Sequence, residues 1–214
     1  MPDAMTLPAK APARPLRADA ARNLERVVDA ATELFAERGL EVGVDEIAAR
    51  AGVGMGTLYR RFPNKDALIK FLVADLVGQT LLLADNALAE PDGIGLESLL
   101  RGVGELQAAN PGCLTRLWRD GFSPEEREHL RGVLRRLLTR AHEAGAVRPE
   151  ITVTDVSVLL WSLQQIVTMT VSAAPDAWRR HLDILLAGIS PRPRKIAHRP
   201  LTQHELDAAI DSQK

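Results

Sequence analysis

Met55-Gly56-Thr57-Leu58-Tyr59-Arg60-Arg61-Phe62 gathers two guanidinium groups, a phenol, a hydroxyl and a bare glycine into one short stretch. Leu58 and Phe62 stand four residues apart, so on a helix both face inward and leave Met55, Gly56, Thr57, Tyr59, Arg60 and Arg61 outside, with no acid among them. Such a surface suits a polyanion. Arginine grips a phosphate or a guanine edge in bidentate fashion, Thr57 and Tyr59 donate to phosphate or base, and Gly56 lets the backbone come close. Lys65, just beyond Pro63, is placed to add a phosphate contact at the next helix start.

This stretch needs a scaffold to present it. Val44 to Ala51 reads as a short helix, with Asp45 and Glu46 in its first turn and Ile47, Ala48 and Ala51 on its inner face. Gly52-Val53-Gly54 breaks it, and two short helices across a tight glycine turn are the geometry of a helix-turn-helix. Upstream, Leu24, Val27, Val28, Ala31, Leu34 and Phe35 recur at helical spacing from Asp19 onward, and Gly39 is placed to end that helix. Downstream, Pro63 stops the third helix and Asn64 caps a fourth running through about Ala89. That fourth helix carries two apolar stripes, Leu68, Phe71, Leu72, Leu76 and Ile69, Val73, Val77, Leu81, as expected of a helix joining two packed layers.

The remaining pattern is helical too, and no stretch alternates cleanly at period two. The expected fold is all-α: a three-helix N-terminal unit with the helix-turn-helix, then a helical bundle, about nine helices in total. Leu96, Leu99, Leu100, Val103 and Leu106 mark a fifth helix weakened by Gly102 and Gly104. Ser123-Pro124-Glu125-Glu126 is a capping box with proline at the first helical position. Thr152 to Ala174 and Asp176 to Gly188 supply the last two bundle helices. Beyond Ser190 the Pro- and Arg-rich run to Pro200 reads as an extended linker, and Thr202 and Glu205 form a second capping pattern before Leu206 and Ile210. The division expected is 1–18 as a basic arm, 19–64 as the helix-turn-helix unit, 65–189 as the bundle and 190–214 as the tail.

The 214 residues carry 27 basic and 28 acidic side chains, a formal charge of −1, so any grip on nucleic acid must come from local patches. A single cysteine, Cys113, excludes an intrachain disulfide, a zinc finger or an iron–sulfur cluster, and the histidines lack zinc-ligand spacing, so neither metal nor other cofactor is expected. Val156 to Pro175 has no charge and nearly the length of a bilayer span, but Gln164, Gln165 and scattered hydroxyls point to packing against protein. No secretory signal is visible before Leu16, and a cytoplasmic location is expected. Enzyme readings fail on their residues. Gly52-Val53-Gly54-Met55-Gly56 follows a helix rather than a strand, and Thr57 stands where a dinucleotide loop needs Gly or Ala. Cys113, His129 and His142 have neither an acid nor a nucleophile elbow to make them a catalytic set.

Ile47-Ala48-Ala49-Arg50-Ala51-Gly52-Val53, then Gly56-Thr57-Leu58-Tyr59, Phe62 and Lys65, resemble in order and spacing the TetR/AcrR family of bacterial transcriptional regulators. The resemblance covers roughly Asn23 to Leu72. It implies a dimeric regulator that binds a palindromic double-stranded DNA operator and releases it when a small molecule enters the C-terminal domain; the alternative is a constitutive DNA- or protein-binding regulator without an effector. Gly43 and Gly54 stand where the family often has Ser or Thr, and Arg61 where His or Tyr is common, so the DNA-facing set expected here is Gly43, Gly54, Met55, Gly56, Thr57, Tyr59, Arg60, Arg61 and Lys65.

The resemblance also places an effector pocket among helices four to eight, where this chain offers Phe71, Trp118, Phe122, Trp161, Gln164, Gln165 and Met169. Leu159, Leu163, Ile166 and Val167, together with Trp178, Leu182 and Leu185, are the apolar surplus expected to pair with a second copy. Lys10, Arg14 and Arg17 form an acid-free arm ahead of the first helix, read either as a DNA-contacting arm or as a solubilising leader.

Overall fold

A computed structural model of the chain describes residues 14–211. Among them are ten helices and no β-strand: α1 (Arg14–Arg38), α2 (Val44–Ala51), α3 (Met55–Arg61), α4 (Lys65–Ala87), α5 (Gly95–Ala109), α6 (Leu114–Arg116), α7 (Pro124–Glu143), α8 (Val153–Thr170), α9 (Ala177–Ile189) and α10 (Gln203–Asp211). The all-α class is as expected. α1 starts at Arg14 rather than Asp19, so Arg14 and Arg17 belong to the helix and not to an arm before it; Lys10 lies outside the described residues.

Local chemistry explains the boundaries. Asn64 accepts a hydrogen bond from the Ala67 N–H at 2.8 Å and starts α4. Ser123 and Glu126 exchange the two bonds of a capping box at the head of α7, with the Ser123 N–H donating to Glu126 at 2.7 Å. Thr152 and Asp155 do the same for α8, and Thr202 and Glu205 for α10. The uncharged stretch after Asp155 is helical only to Thr170 and then turns, which shortens the expected helix at its C-terminal end.

α1, α2 and α3 close around Val27, Ala31, Leu34, Phe35, Ile47, Ala48, Leu58 and Phe62, all buried. Fully burying a Leu, Ile or Phe side chain contributes on the order of 2 kcal/mol, so these few residues suffice to hold the short α2 and α3 in place. α4 is the one described helix long and apolar enough to cross a membrane by length and composition. Its apolarity follows from its position: it packs on α5, α7 and the segment after α6, burying Leu68, Ile69, Leu72, Val73, Leu76 and Val77.

Between α5 and α7 the chain narrows to a 3-10 turn, Pro111–Cys113, then α6, then a π-helical turn, Leu117–Gly121. The 3-10 turn seats on α1, where a Cβ on Gly112 would stand 2.4 Å from the Phe35 carbonyl oxygen. The π turn seats on α4, where a Cβ on Gly121 would stand 2.8 Å from Val73. Arg116 reaches Asp66 at the head of α4 at 3.1 Å. This one segment therefore bears on both helices that carry the N-terminal unit.

Candidate nucleic-acid interface

α2 and α3 meet at Gly52, whose φ of 62° is a left-handed conformation that glycine adopts without the Cβ penalty of other residues. The Gly52 and Val53 N–H groups return to the Ala49 and Ala48 carbonyls at 3.1 and 3.0 Å, closing α2. Arg26 of α1 then donates to the Gly52 carbonyl at 2.7 Å, and Arg50 of α2 reaches back to Glu33 and Glu37 of α1 at 3.1 and 3.4 Å. Arg38 pairs with Glu46 at 2.5 Å, and Glu46 also accepts from the Gly43 N–H at 3.2 Å. The hydrogen bond from Arg38 and then that from Gly43 hold the Glu46 carboxyl below the ordinary glutamate value. These polar ties fix the angle at which α3 is presented, and periodicity gave no sign of them.

On α3, Leu58 is buried and Phe62 follows it into the core, stacking edge-on against Phe71 with ring centroids 5.4 Å apart. Gly54, Gly56, Tyr59, Arg60 and Arg61 are exposed, while Met55 and Thr57 are half-buried, and Tyr59 keeps 47% of its surface open. Arg60 and Arg61 have no carboxylate partner among the described residues; Arg61 instead lies over the Phe71 ring, 5.9 Å from its centroid. Asp19 borders a cleft of about 580 Å³ with Thr57, Arg60 and Arg61, and Arg22 neutralises it in an ion pair. Gly43 and Gly54 occupy the N-cap positions of α2 and α3 in extended conformation, and neither helix has a side-chain cap bond from that position. Lys65, half-buried, is the first residue of α4.

The residues expected in an effector pocket do not assemble as a set. Gln164 and Phe122 are buried and Trp118 half-buried, but Trp161 is 59% and Met169 42% exposed, and Gln165 is also exposed. Trp161, Gln165 and Met169 stand four apart on α8 and share its outer face with Val158. Phe71 is committed to Phe62 and Arg61 near the reading head. The expected pairing residues divide similarly. Leu163, Val167, Trp178 and Leu182 are sunk in the chain's own core, Leu159, Ile166 and Leu185 are half-buried, and the apolar side chains turned outward are Val158, Trp161, Met169 and, on α9, Ile184. Helical periodicity identifies two apolar faces on α8 without saying which one the bundle covers.

Two sites went unseen in the sequence. Gln107 of α5 is 1% exposed with neither amide atom hydrogen-bonded. Asp183 of α9, its side chain 4% exposed, holds the tail: it accepts from the Ala197 and His198 N–H groups at 3.1 and 3.2 Å, bonds the His198 ring at 2.7 Å and pairs with Arg101 at 3.2 Å.

This arrangement, a solvent-facing basic helix set by a glycine turn ahead of an all-helical second unit, defines a helix-turn-helix transcriptional regulator. A family model described as "Bacterial regulatory proteins, tetR family" matches residues 27–71, and one described as "Transcriptional regulator SbtR-like, C-terminal domain" matches 99–191. The chain is 35% identical to the TetR transcription regulatory protein of Mycobacterium vanbaalenii over 82% of its own length and 99% of that structure, with a TM-score of 0.57. It is 28% identical to the TetR regulator SCO0520 of Streptomyces coelicolor over 78% and 98%, with a TM-score of 0.55. An HTH-type transcriptional regulator of Staphylococcus aureus, SAUSA300_2515, is 41% identical over 59 residues, 27% of this chain and about a third (32%) of that relative. The chain belongs to the TetR family of DNA-binding transcriptional regulators.

Proposed function

We propose that this protein is a homodimeric repressor that binds a palindromic operator through α3 and is released when a small molecule enters its C-terminal domain. The observation that carries the reading is the unpaired, acid-free outer face of α3, where Gly56, Tyr59, Arg60 and Arg61 meet solvent on a rigidly tied frame. Thr57 and Lys65 flank it, and Gly43 and Gly54 bring bare backbone to the same edge. In this reading residues 19–64, extended forward by the first turns of α1, form the reading head, 65–189 the effector and pairing unit, and 190–214 an appended tail, with the whole acting in the cytoplasm.

The outward stripe of Val158, Trp161 and Met169 on α8, with Ile184 of α9, supports pairing with a second copy, since a contiguous exposed apolar surface marks an interaction site. A two-fold pairing there sets two α3 helices to face successive major grooves. Release follows from the wedge after α5. A ligand that shifts the end of α5 moves Pro111–Gly121, and that segment rests on Phe35 of α1 and Val73 of α4.

Fluorescence anisotropy on duplexes tiling the DNA around the protein's own gene, at low and physiological salt, tests the first half. Tight, sequence-dependent binding lost in both Arg60→Ala and Tyr59→Ala supports it, and salt-labile, sequence-blind binding overturns it. A regulator that keeps its operator in the presence of every compound that shifts its melting temperature is constitutive instead.

A further inference from the structure

The cleft of about 580 Å³ between α1 and α3 is open to solvent. On its α1 wall Asp19, Asn23 and Val27 stand four apart; Thr57, Arg60 and Arg61 line the α3 wall, and the buried Val27, Leu58 and Phe62 lie at its base. Its charge is one-sided. Arg60 and Arg61 have no carboxylate partner among the described residues, whereas Asp19, the only acid among the lining residues, is already paired with Arg22. On α1, Arg22 lies on the opposite side of Asp19 from Asn23, so the ion pair holds that carboxylate at the rim. The Asn23 amide and the Thr57 hydroxyl, both half-buried, make no side-chain hydrogen bond among the described residues.

Two unpaired cations and two unengaged neutral donors thus share one trough. That set matches a phosphodiester, whose charge the guanidinium groups take and whose remaining oxygens accept from an amide and a hydroxyl. One wall of the trough is α3, the helix that enters the major groove when the protein holds its operator. A helix in that groove has a strand backbone along each flank, and the flank on the α1 side is this cleft.

We infer that the cleft seats the sugar–phosphate backbone of one operator strand, with Asn23 donating to a phosphate oxygen and Asp19 opposing the strand from the rim. The inference rests on the operator-binding reading above and gives α1 a share in it: α3 reads bases, while the second and third turns of α1 set how firmly the strand is held. Phosphate contacts carry no base information, so changes on the α1 wall act alike on every sequence.

Three substitutions that each add one positive charge to α1 test it in the full chain. Asp19→Asn and Asn23→Lys lie in the cleft, and Glu25→Gln is exposed on the opposite face of the helix. Anisotropy is read on the tightest duplex from the tiling series and on its single-base variants. Asp19→Asn tightens binding about fivefold and Asn23→Lys about tenfold near 0.1 M salt, by the same factor on every duplex. Asn23→Lys also steepens the salt slope by about one, and Glu25→Gln stays within about twofold of wild type. Asn23→Ala loosens binding about fivefold. Replacing single backbone phosphates with methylphosphonate then locates the partner: one position costs wild type about tenfold and costs Asn23→Ala markedly less. Equal tightening by all three charge substitutions, or a phosphate map on which Asn23→Ala is as sensitive as wild type throughout, overturns the cleft inference. Either result, with binding still lost in Tyr59→Ala, leaves the operator reading standing. Sequence-blind binding that Tyr59→Ala leaves unchanged removes the operator reading, and the cleft inference with it.

Discussion

The guanidinium of Arg26 donates to the carbonyl of Gly52 across 2.7 Å, so α1 is bonded directly to the left-handed residue that turns α2 into α3. Arg26→Ala is expected to cost only about 0.5–1 kcal/mol of stability, because the bond is solvent-exposed. Its effect on operator affinity should be larger, since α3 loses its fixed presentation. Gly52→Ala should cost about 1 kcal/mol through backbone strain at φ 62°, not through crowding, because the nearest atom to an added Cβ is Arg26 at 3.7 Å. Chemical denaturation beside anisotropy separates the two effects.

Gly54 caps α3 with φ −70° and ψ 142°, and an added Cβ meets nothing within 4 Å. Gly54→Ser should therefore fold unchanged, stabilise the head by a few tenths of a kcal/mol through an N-cap bond, and tighten operator binding by supplying a phosphate contact. A lower midpoint in urea would contradict this account.

Trp161→Glu should yield a folded monomer, because the side chain is 59% exposed and no part of the core depends on it. Trp178→Ala, by contrast, empties a fully buried site against Gly104 and should cost about 3–5 kcal/mol. Light scattering and circular dichroism together read both outcomes.

Asp183 anchors the tail. Burial opposes its ionisation, but the His198 side-chain and backbone hydrogen bonds and that from Arg101 outweigh burial, and its carboxyl is held below the usual aspartate value. A carboxyl depressed in the folded state contributes stability above its unfolded value, near 4, and loses it as pH falls through the folded value. Tail docking should therefore be intact at neutral pH and fail only below about pH 4. Asp183→Asn should speed tryptic cleavage after the exposed Arg194 and Lys195 at neutral pH while leaving the bundle intact.

Burial pushes the Cys113 thiol up to about 11, so little thiolate forms near neutrality. Thiol reagents should label it only as the protein unfolds, with labelling rates that track urea concentration.

The residues of α2, the glycine turn and α3 were legible in the sequence because each is written in local chemistry. Asp45 and Glu46 sit at a helix start, Gly52 at a left-handed end, and Leu58 and Phe62 on one face. The caps at Asn64, Ser123, Thr152 and Thr202 were legible for the same reason, since each bond spans three residues. The family follows from that segment alone.

The inward face of α8 was not legible. Leu163 and Val167 on one side and Trp161 and Met169 on the other satisfy the same period, and only the packing of α5, α7 and α9 selects which side is covered. Arg26 to Gly52, Asp183 to His198 and the unpaired amide of Gln107 were equally hidden, because their surroundings come from segments distant in the chain. Local interactions write the helices into the sequence; which side chains the helices enclose together is decided only when they pack.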